Sequence, residues 1–265
     1  MRALVTGGTK GVGFEIVKSM IQNNIPTLFT GRNLVEIKEA ETKQNQIQPN
    51  FAKGLELDFS NMNSIQNFLK TKEVNDFQPN ILIHNAGYLS IRPYEKPINV
   101  KKLFLVNAIG PIIITQHFLP SMIKHDNGHI FFNSPPLRFD KKVKFLTPYL
   151  QSKFAQTTYM KSLAYILHNK NISANSVWTS FPLWTDAISK RDIGKKEDCM
   201  DPSIVSRVIE EIMFEEDPRI FKGNEIVDEE YLTAKGIPLS TFALGKNSGI
   251  HLDDIFLQKL KQNRV

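Results

Sequence analysis

The sequence predicts an α/β fold: a single domain on a doubly wound, mostly parallel sheet of about seven strands, with helices on both faces. Three observations carry this expectation. Short apolar, β-rich runs alternate with segments of helical apolar spacing. A glycine-rich turn follows the first run directly. No internal repeat or low-complexity linker divides the 265 residues, a length that buries one large core.

The strand runs are 2–6, 27–30, 54–57, 81–84, 129–133, 173–177 and 225–227. Between them, 12–23, 60–71, 102–125 and 149–170 carry the apolar spacing of helices. This alternation implies βαβ crossovers, hence parallel pairing. Residues 1–237 make up the predicted domain. Residues 238–265 lack a clear strand–helix partner and are expected to be a C-terminal extension packed on the same body.

Composition excludes several function classes. Hydrophobic residues at 41% and charged residues at 23% are ordinary for a globular protein. No run approaches eighteen consecutive apolar residues, so no membrane span is expected. The first strand run begins at residue 2, so no signal or transit segment is expected ahead of it. The single cysteine, Cys199, excludes an intrachain disulfide and a Cys-based metal site; no metal is expected. It fits a reducing, cytoplasmic compartment. The net charge is +6, but the lysines are scattered in short groups among acids. That reads as a solvated basic surface and not as a nucleic-acid interface.

The stretch LVTGGTKGVGFEIV places Gly7, Gly8, Gly11 and Gly13 between a strand and a helix. Glycine suits positive φ and close approach of backbone to a pyrophosphate. The helix beginning near Val12 would aim free N–H groups at that anion. Thr6, Gly7, Thr9, Lys10, Gly11, Val12 and Gly13 are the candidate phosphate loop of a Rossmann fold. A fold of this kind that prefers NAD usually ends its second strand in Asp or Glu. Here the run ends Thr30-Gly31-Arg32-Asn33. Arg32 suits a bidentate contact with a 2′-phosphate, and Lys10 adds a second cation, so NADP(H) is favoured over NAD. The alternative for Arg32 is a solvated side chain at a strand end.

Asp58, with Phe59 after it, closes the third run; its carboxylate suits the adenine amino group or, alternatively, a helix N-cap. Asn85, Ala86 and Gly87 close the fourth and suit the adenine ribose or plain turn chemistry.

In this order, TGGTKGVG, Asp58, HNAG, VNAIGP with Asn107, and Tyr149-x-x-x-Lys153 resemble the short-chain dehydrogenase/reductase superfamily over nearly the whole chain. NSPPL (133–137), NSVW (175–178) and FKGNEIVDEEYLTAKGI (221–237) resemble one branch of it, the hydroxysteroid dehydrogenase-like proteins. The resemblance implies an NAD(P)-dependent oxidoreductase acting on a small-molecule alcohol or carbonyl. It also implies a homodimer or homotetramer by analogy.

Tyr149 and Lys153, one helical turn apart, share a face. A phenol titrates near 10, and a neighbouring ammonium favours the phenolate, which suits an acid/base at neutral pH. The resemblance gives Lys153 a second role on the nicotinamide ribose and gives Asn107 a relay water. It implies that Ser134 orients the substrate oxygen, although Pro135 stands where the family's catalytic serine usually is; the alternative for Ser134 is a turn residue. Thr179-Ser180 stand where the family has Pro-Gly, and Thr185 matches a threonine that touches the cofactor amide. Trp178, Phe181, Leu183 and Trp184 suit either a substrate wall or core packing. The stretch 185–200 is the expected substrate lid. A second function class stays open on these departures: a dinucleotide-binding sensor or scaffold without turnover.

Overall fold

The computed structural model describes residues 1–90, 96–138, 147–190, 194–246 and 248–251, without the side chain of residue 187. Seven strands form one parallel sheet in the order β3-β2-β1-β4-β5-β6-β7. They are β1 (Ala3–Thr6), β2 (Thr27–Gly31), β3 (Ala52–Glu56), β4 (Ile81–His84), β5 (Gly128–Asn133), β6 (Ile172–Trp178) and β7 (Glu225–Val227). The α/β expectation and the strand count agree with the structure. The third strand begins two residues earlier than its apolar run. Its exposed Lys53 and Glu56 lie on a sheet edge, where one face needs no apolar cover.

Successive side chains in a strand point to opposite faces, and the two cores divide accordingly. Ala3 and Val5 of β1, Ile81 and Ile83 of β4, and Phe131 of β5 enter one core. Leu4, Leu82, Ile130 and Phe132 enter the other. The first core is covered by α1 (Gly11–Gln22), α2 (Leu34–Ile47) and α9 (Ser203–Glu215). The second is covered by α3 (Met62–Lys70), α4 (Lys72–Phe77), α6 (Gly110–His125) and α7 (Thr147–Ile166). The remaining helices are α5 (Pro97–Phe104), α8 (Asp186–Ser189) and α10 (Asp228–Ala234).

Helices α2, α4, α8, α9 and α10 escaped the sequence reading. α2 is mostly polar, with Ile37, Ala40 and Gln44 its buried residues. The start of the third helical run also differs. The helix begins at Pro97, a favourable first-turn position for proline, because a missing N–H costs nothing there. Leu105–Ile109 then widens into a π-turn before α6 continues.

By length and composition the joined helix Pro97–His125 is apolar enough to cross a membrane, although no uninterrupted apolar run signals it. Half of its most apolar window is buried within the fold. Leu103, Val106, Ile114, Phe118 and Met122 spend that apolarity on the core.

After α10, Leu239–Phe242 forms a short 3-10 turn, and buried Phe242 joins the first core. Met200 bridges both Leu183 and Ala243, so this later segment lies against the chain that follows α8. Residues 252–265 of the expected extension lie outside the described residues.

The sheet grows outward in opposite directions from β1 and β4. At such a reversal the loops leaving the two strands diverge, and a crevice opens at their carboxyl ends. Thr6–Gly13 and His84–Gly87 occupy that position.

Candidate active site

Gly7 and Gly11 have φ of +69° and +56°, the left-handed region in which a Cβ is strained. Gly13 is required for a different reason. A Cβ there would stand 2.0 Å from Gly7 O and 2.5 Å from Asn85 Nδ2. Gly13→Ala is therefore expected to cost about 1–3 kcal/mol and to weaken dinucleotide binding. Urea unfolding and a cofactor titration check this; an unchanged midpoint would show that the loop has room.

Helix α1 starts at Gly11 with no side-chain cap and no acid in its first turn, which leaves its amide donors to an anion. Val12 packs on the first core, and Thr9 Cγ2 lies 2.4 Å from where a Gly31 Cβ would be. The loop is thus held against the end of β2.

Thr6 and Asn85 tie the two diverging loops together. The Thr6 hydroxyl accepts from Ala86 N at 3.1 Å, and Asn85 Nδ2 donates to Gly7 O at 3.0 Å. Asn133 Nδ2 in turn donates to Asn85 Oδ1 at 3.3 Å. Lys153 Nζ donates to Asn133 O at 2.6 Å. One chain of hydrogen bonds therefore runs from the glycine loop to Lys153.

Lys153 is 3% exposed, and burial pushes its ammonium down to about 7. Tyr149 is half-buried on the first turn of α7, one turn before it. Ser152 lies between them: its hydroxyl donates to Tyr149 O at 2.6 Å and accepts from Asn107 Nδ2 at 2.9 Å. Asn107, fully buried in the π-turn, also clamps Tyr88, accepting from its N at 2.8 Å and donating to its O at 3.0 Å. A Cβ on Gly87 would lie 3.5 Å from Lys153 Nζ and 3.6 Å from Asn107 Oδ1, so β4, α7 and the π-turn meet at one point.

Residues 1–193 match the short chain dehydrogenase family. The chain belongs to the short-chain dehydrogenase/reductase family. It is therefore an oxidoreductase. It is 25% identical over 193 residues to the uncharacterized oxidoreductase YvrD of Bacillus subtilis (strain 168), covering 70% of each chain. Its fold matches a short chain dehydrogenase of Mycobacterium thermoresistibile with a TM-score of 0.82 at 20% identity, over 95% of this chain and 94% of that one. A metagenomic short-chain oxidoreductase in complex with NADP matches with a TM-score of 0.70 at 21% identity, over 86% and 96% of the two chains.

Several candidates of this short-chain dehydrogenase/reductase sit differently from the sequence reading. Ser134 is fully buried: its Oγ accepts from Thr157 Oγ1 at 2.9 Å, and the same threonine reaches Pro135 O at 2.8 Å. The hydroxyl that the resemblance assigns to the substrate oxygen is held by a buried threonine one turn beyond Lys153. Asp58 does not cap α3; its Oδ1 accepts from Ser60 N and Oγ, while Asn61 caps the helix. The Phe59 ring packs on Gly110 in the second core. Asn33 caps α2 by accepting from Val35 N and Glu36 N. Arg32 is exposed at the end of β2. Thr185 stands over the loop, with Cγ2 3.1 Å from where a Gly11 Cβ would be.

Phe181 and Leu183 belong to the first core and not to a pocket wall. The Thr179-Ser180 turn is held from beneath by buried Asp228, whose Oδ1 accepts from Ser180 N at 2.9 Å and Glu229 N at 2.8 Å. Burial pushes the Asp228 carboxyl up, while the bonds from Ser180, Thr179 and Glu229 oppose it.

Sequence reasoning missed Asn133, Ser152, Thr157 and Asp228. Ser152 carries a local signal, since it precedes Lys153 and lies within one turn of Tyr149. The other three act through partners distant in sequence.

Proposed function

We propose that this chain is an NADP(H)-dependent oxidoreductase that interconverts an alcohol and a carbonyl, with Tyr149 as the acid/base. The observation that carries the reading is the meeting of Lys153 and Asn107 at the end of a hydrogen-bonded path from the glycine loop, with the Tyr149 backbone tied to Asn107 through Ser152.

The residues fit a dinucleotide. Uncapped α1 amides and the left-handed glycines suit the pyrophosphate. Asn85, Ala86 and Gly87 suit the adenosine side, Thr185 the amide end, and Lys153 the ribose hydroxyls. When bound, the dinucleotide supplies or accepts the hydride. In reduction the Tyr149 phenol gives its proton to the carbonyl oxygen; in oxidation it takes one from the alcohol. A charged Lys153 lowers the cost of the phenolate. Asn107 and Ser152 keep the turn carrying Tyr149 in place.

The preference for NADP rests on Arg32 and Lys10. Solved neighbours carry either cofactor, one with NADP and a 4-hydroxyisoleucine dehydrogenase with NADH. Resemblance to the hydroxysteroid dehydrogenase-like branch at 133–137, 175–178 and 221–237 supports a small or lipid-like substrate. The buried Ser134 favours a second reading, cofactor binding without turnover.

Titration with NADPH and NADH, followed by a carbonyl panel with NADPH oxidation as readout, separates the two. NADPH bound and oxidised supports the enzyme; NADPH bound with no turnover on the panel supports the sensor. Tighter NADH binding would reverse the cofactor preference.

A further inference from the structure

Lys10 stands at the mouth of the glycine loop with two carboxylates on it. Its ammonium lies 3.0 Å from Glu36 Oε1 and 3.4 Å from Asp186 Oδ2. Glu36 comes from the first turn of α2, just past Arg32 and the capping Asn33. Asp186 opens α8.

A glutamate three residues after a helix cap commonly reaches back to the cap's own N–H. Glu36 turns instead to Lys10. Asp186 is shared, and its nearer cation is Lys190 at 2.6 Å. Glu36 is thus the carboxylate that chiefly answers Lys10, and its hydrogen bond is the main cause of the raised Lys10 pKa.

We propose that Glu36 is a specificity-determining residue for the cofactor: by holding Lys10 as an ion pair, it weakens discrimination in favour of a 2′-phosphate over a 2′-hydroxyl. The proposal rests on the reading that Lys10 and Arg32 meet the adenosine 2′ group. A phosphate reaching a free lysine gains its full attraction. A phosphate reaching the Lys10–Glu36 pair meets compensated charge and a like charge a few ångströms away. A hydroxyl suffers no such repulsion, and a carboxylate can accept from it. Asp186 contributes less because Lys190 balances it.

All these groups are close to half exposed (49%, 43% and 45% for Lys10, Glu36 and Asp186), so solvent and salt screen the effect. A shift of roughly two- to fivefold in affinity follows.

The full chain would be titrated with NADPH, NADH and 2′,5′-ADP at low and high salt, as wild type, Glu36→Gln, Asp186→Asn and Lys10→Gln. Glu36→Gln is expected to tighten NADPH and 2′,5′-ADP roughly two- to fivefold without tightening NADH. Asp186→Asn is expected to give a smaller gain, and high salt to shrink both. If Lys10→Gln loses NADPH affinity while Glu36→Gln leaves the NADPH/NADH ratio unchanged, Lys10 keeps its role and the proposal about Glu36 is overturned. If NADPH binding is indifferent to Lys10→Gln, the reading beneath the proposal fails, and the proposal with it.

Discussion

Tyr149→Phe is expected to lower turnover by about 10²–10⁴ while leaving NADPH affinity and the fold intact. The substitution removes one hydroxyl from a half-buried ring on the first turn of α7. The backbone there is fixed independently, since Ser152 holds the Tyr149 carbonyl and Asn107 holds Ser152. A loss of turnover can therefore be assigned to the missing proton donor and not to a shifted helix. The measurements are kcat on a turned-over carbonyl and an NADPH titration of the same preparation. Turnover within a few-fold of wild type would remove Tyr149 from the acid/base role.

Lys153→Met carries the second large effect, and it has two signs. For activity the change is a loss, because the phenolate loses its cationic partner. For stability the change is a gain at neutral pH. The unfolded lysine titrates near its ordinary value of 10.5, whereas burial holds the folded one at about 7. Between those values the unfolded chain binds more proton than the native one, so native stability rises with pH across that window. Above it the penalty is absent; below pH 7 it is fully present, on the order of 4 to 5 kcal/mol. Methionine is similarly long and carries no charge, so the variant is expected to be more stable than wild type at pH 7 and below. It should also lose most of the slope between pH 7 and 10. Urea unfolding at pH 6, 8 and 10 reads both quantities. A variant with the wild-type slope would mean that Lys153 is not the group that carries it.

The parts of the site legible in the sequence are those whose chemistry is local. Gly7, Gly11 and Gly13 sit in one turn between a strand and a helix, and their spacing already marks a tight backbone loop. Tyr149 and Lys153 sit in one helical turn. The polar helix α2 was not legible, because most of its surface faces solvent and its apolar spacing is too sparse to register. The π-turn at Asn107 was hidden for another reason: its residues are as apolar as any core helix, and the wider turn depends on what the flanking helices pack against.

Ser134 shows where local reading stops. Sequence places it one residue before the slot usually filled by a catalytic serine, beside two prolines, and leaves the direction of its hydroxyl open. Thr157, twenty-three positions later, closes that question by taking the hydroxyl into the interior. Glu36 is similar. From sequence it reads as a first-turn helix acid, and its pairing with Lys10 exists because parallel β1 and β2 bring α1 and α2 side by side.

By itself, then, the sequence determined the α/β class, the alternation that makes the sheet parallel, the glycine loop between β1 and α1, and the Tyr-Lys turn. Each depends on residues within a few positions of one another, where backbone periodicity and glycine content act directly. Tertiary structure alone decided that the Ser134 hydroxyl is buried against Thr157, how far Lys153 is stripped of water, and which carboxylate compensates Lys10. Those outcomes depend on burial and on charges brought within a few ångströms by the strand order, and no local pattern encodes such distances.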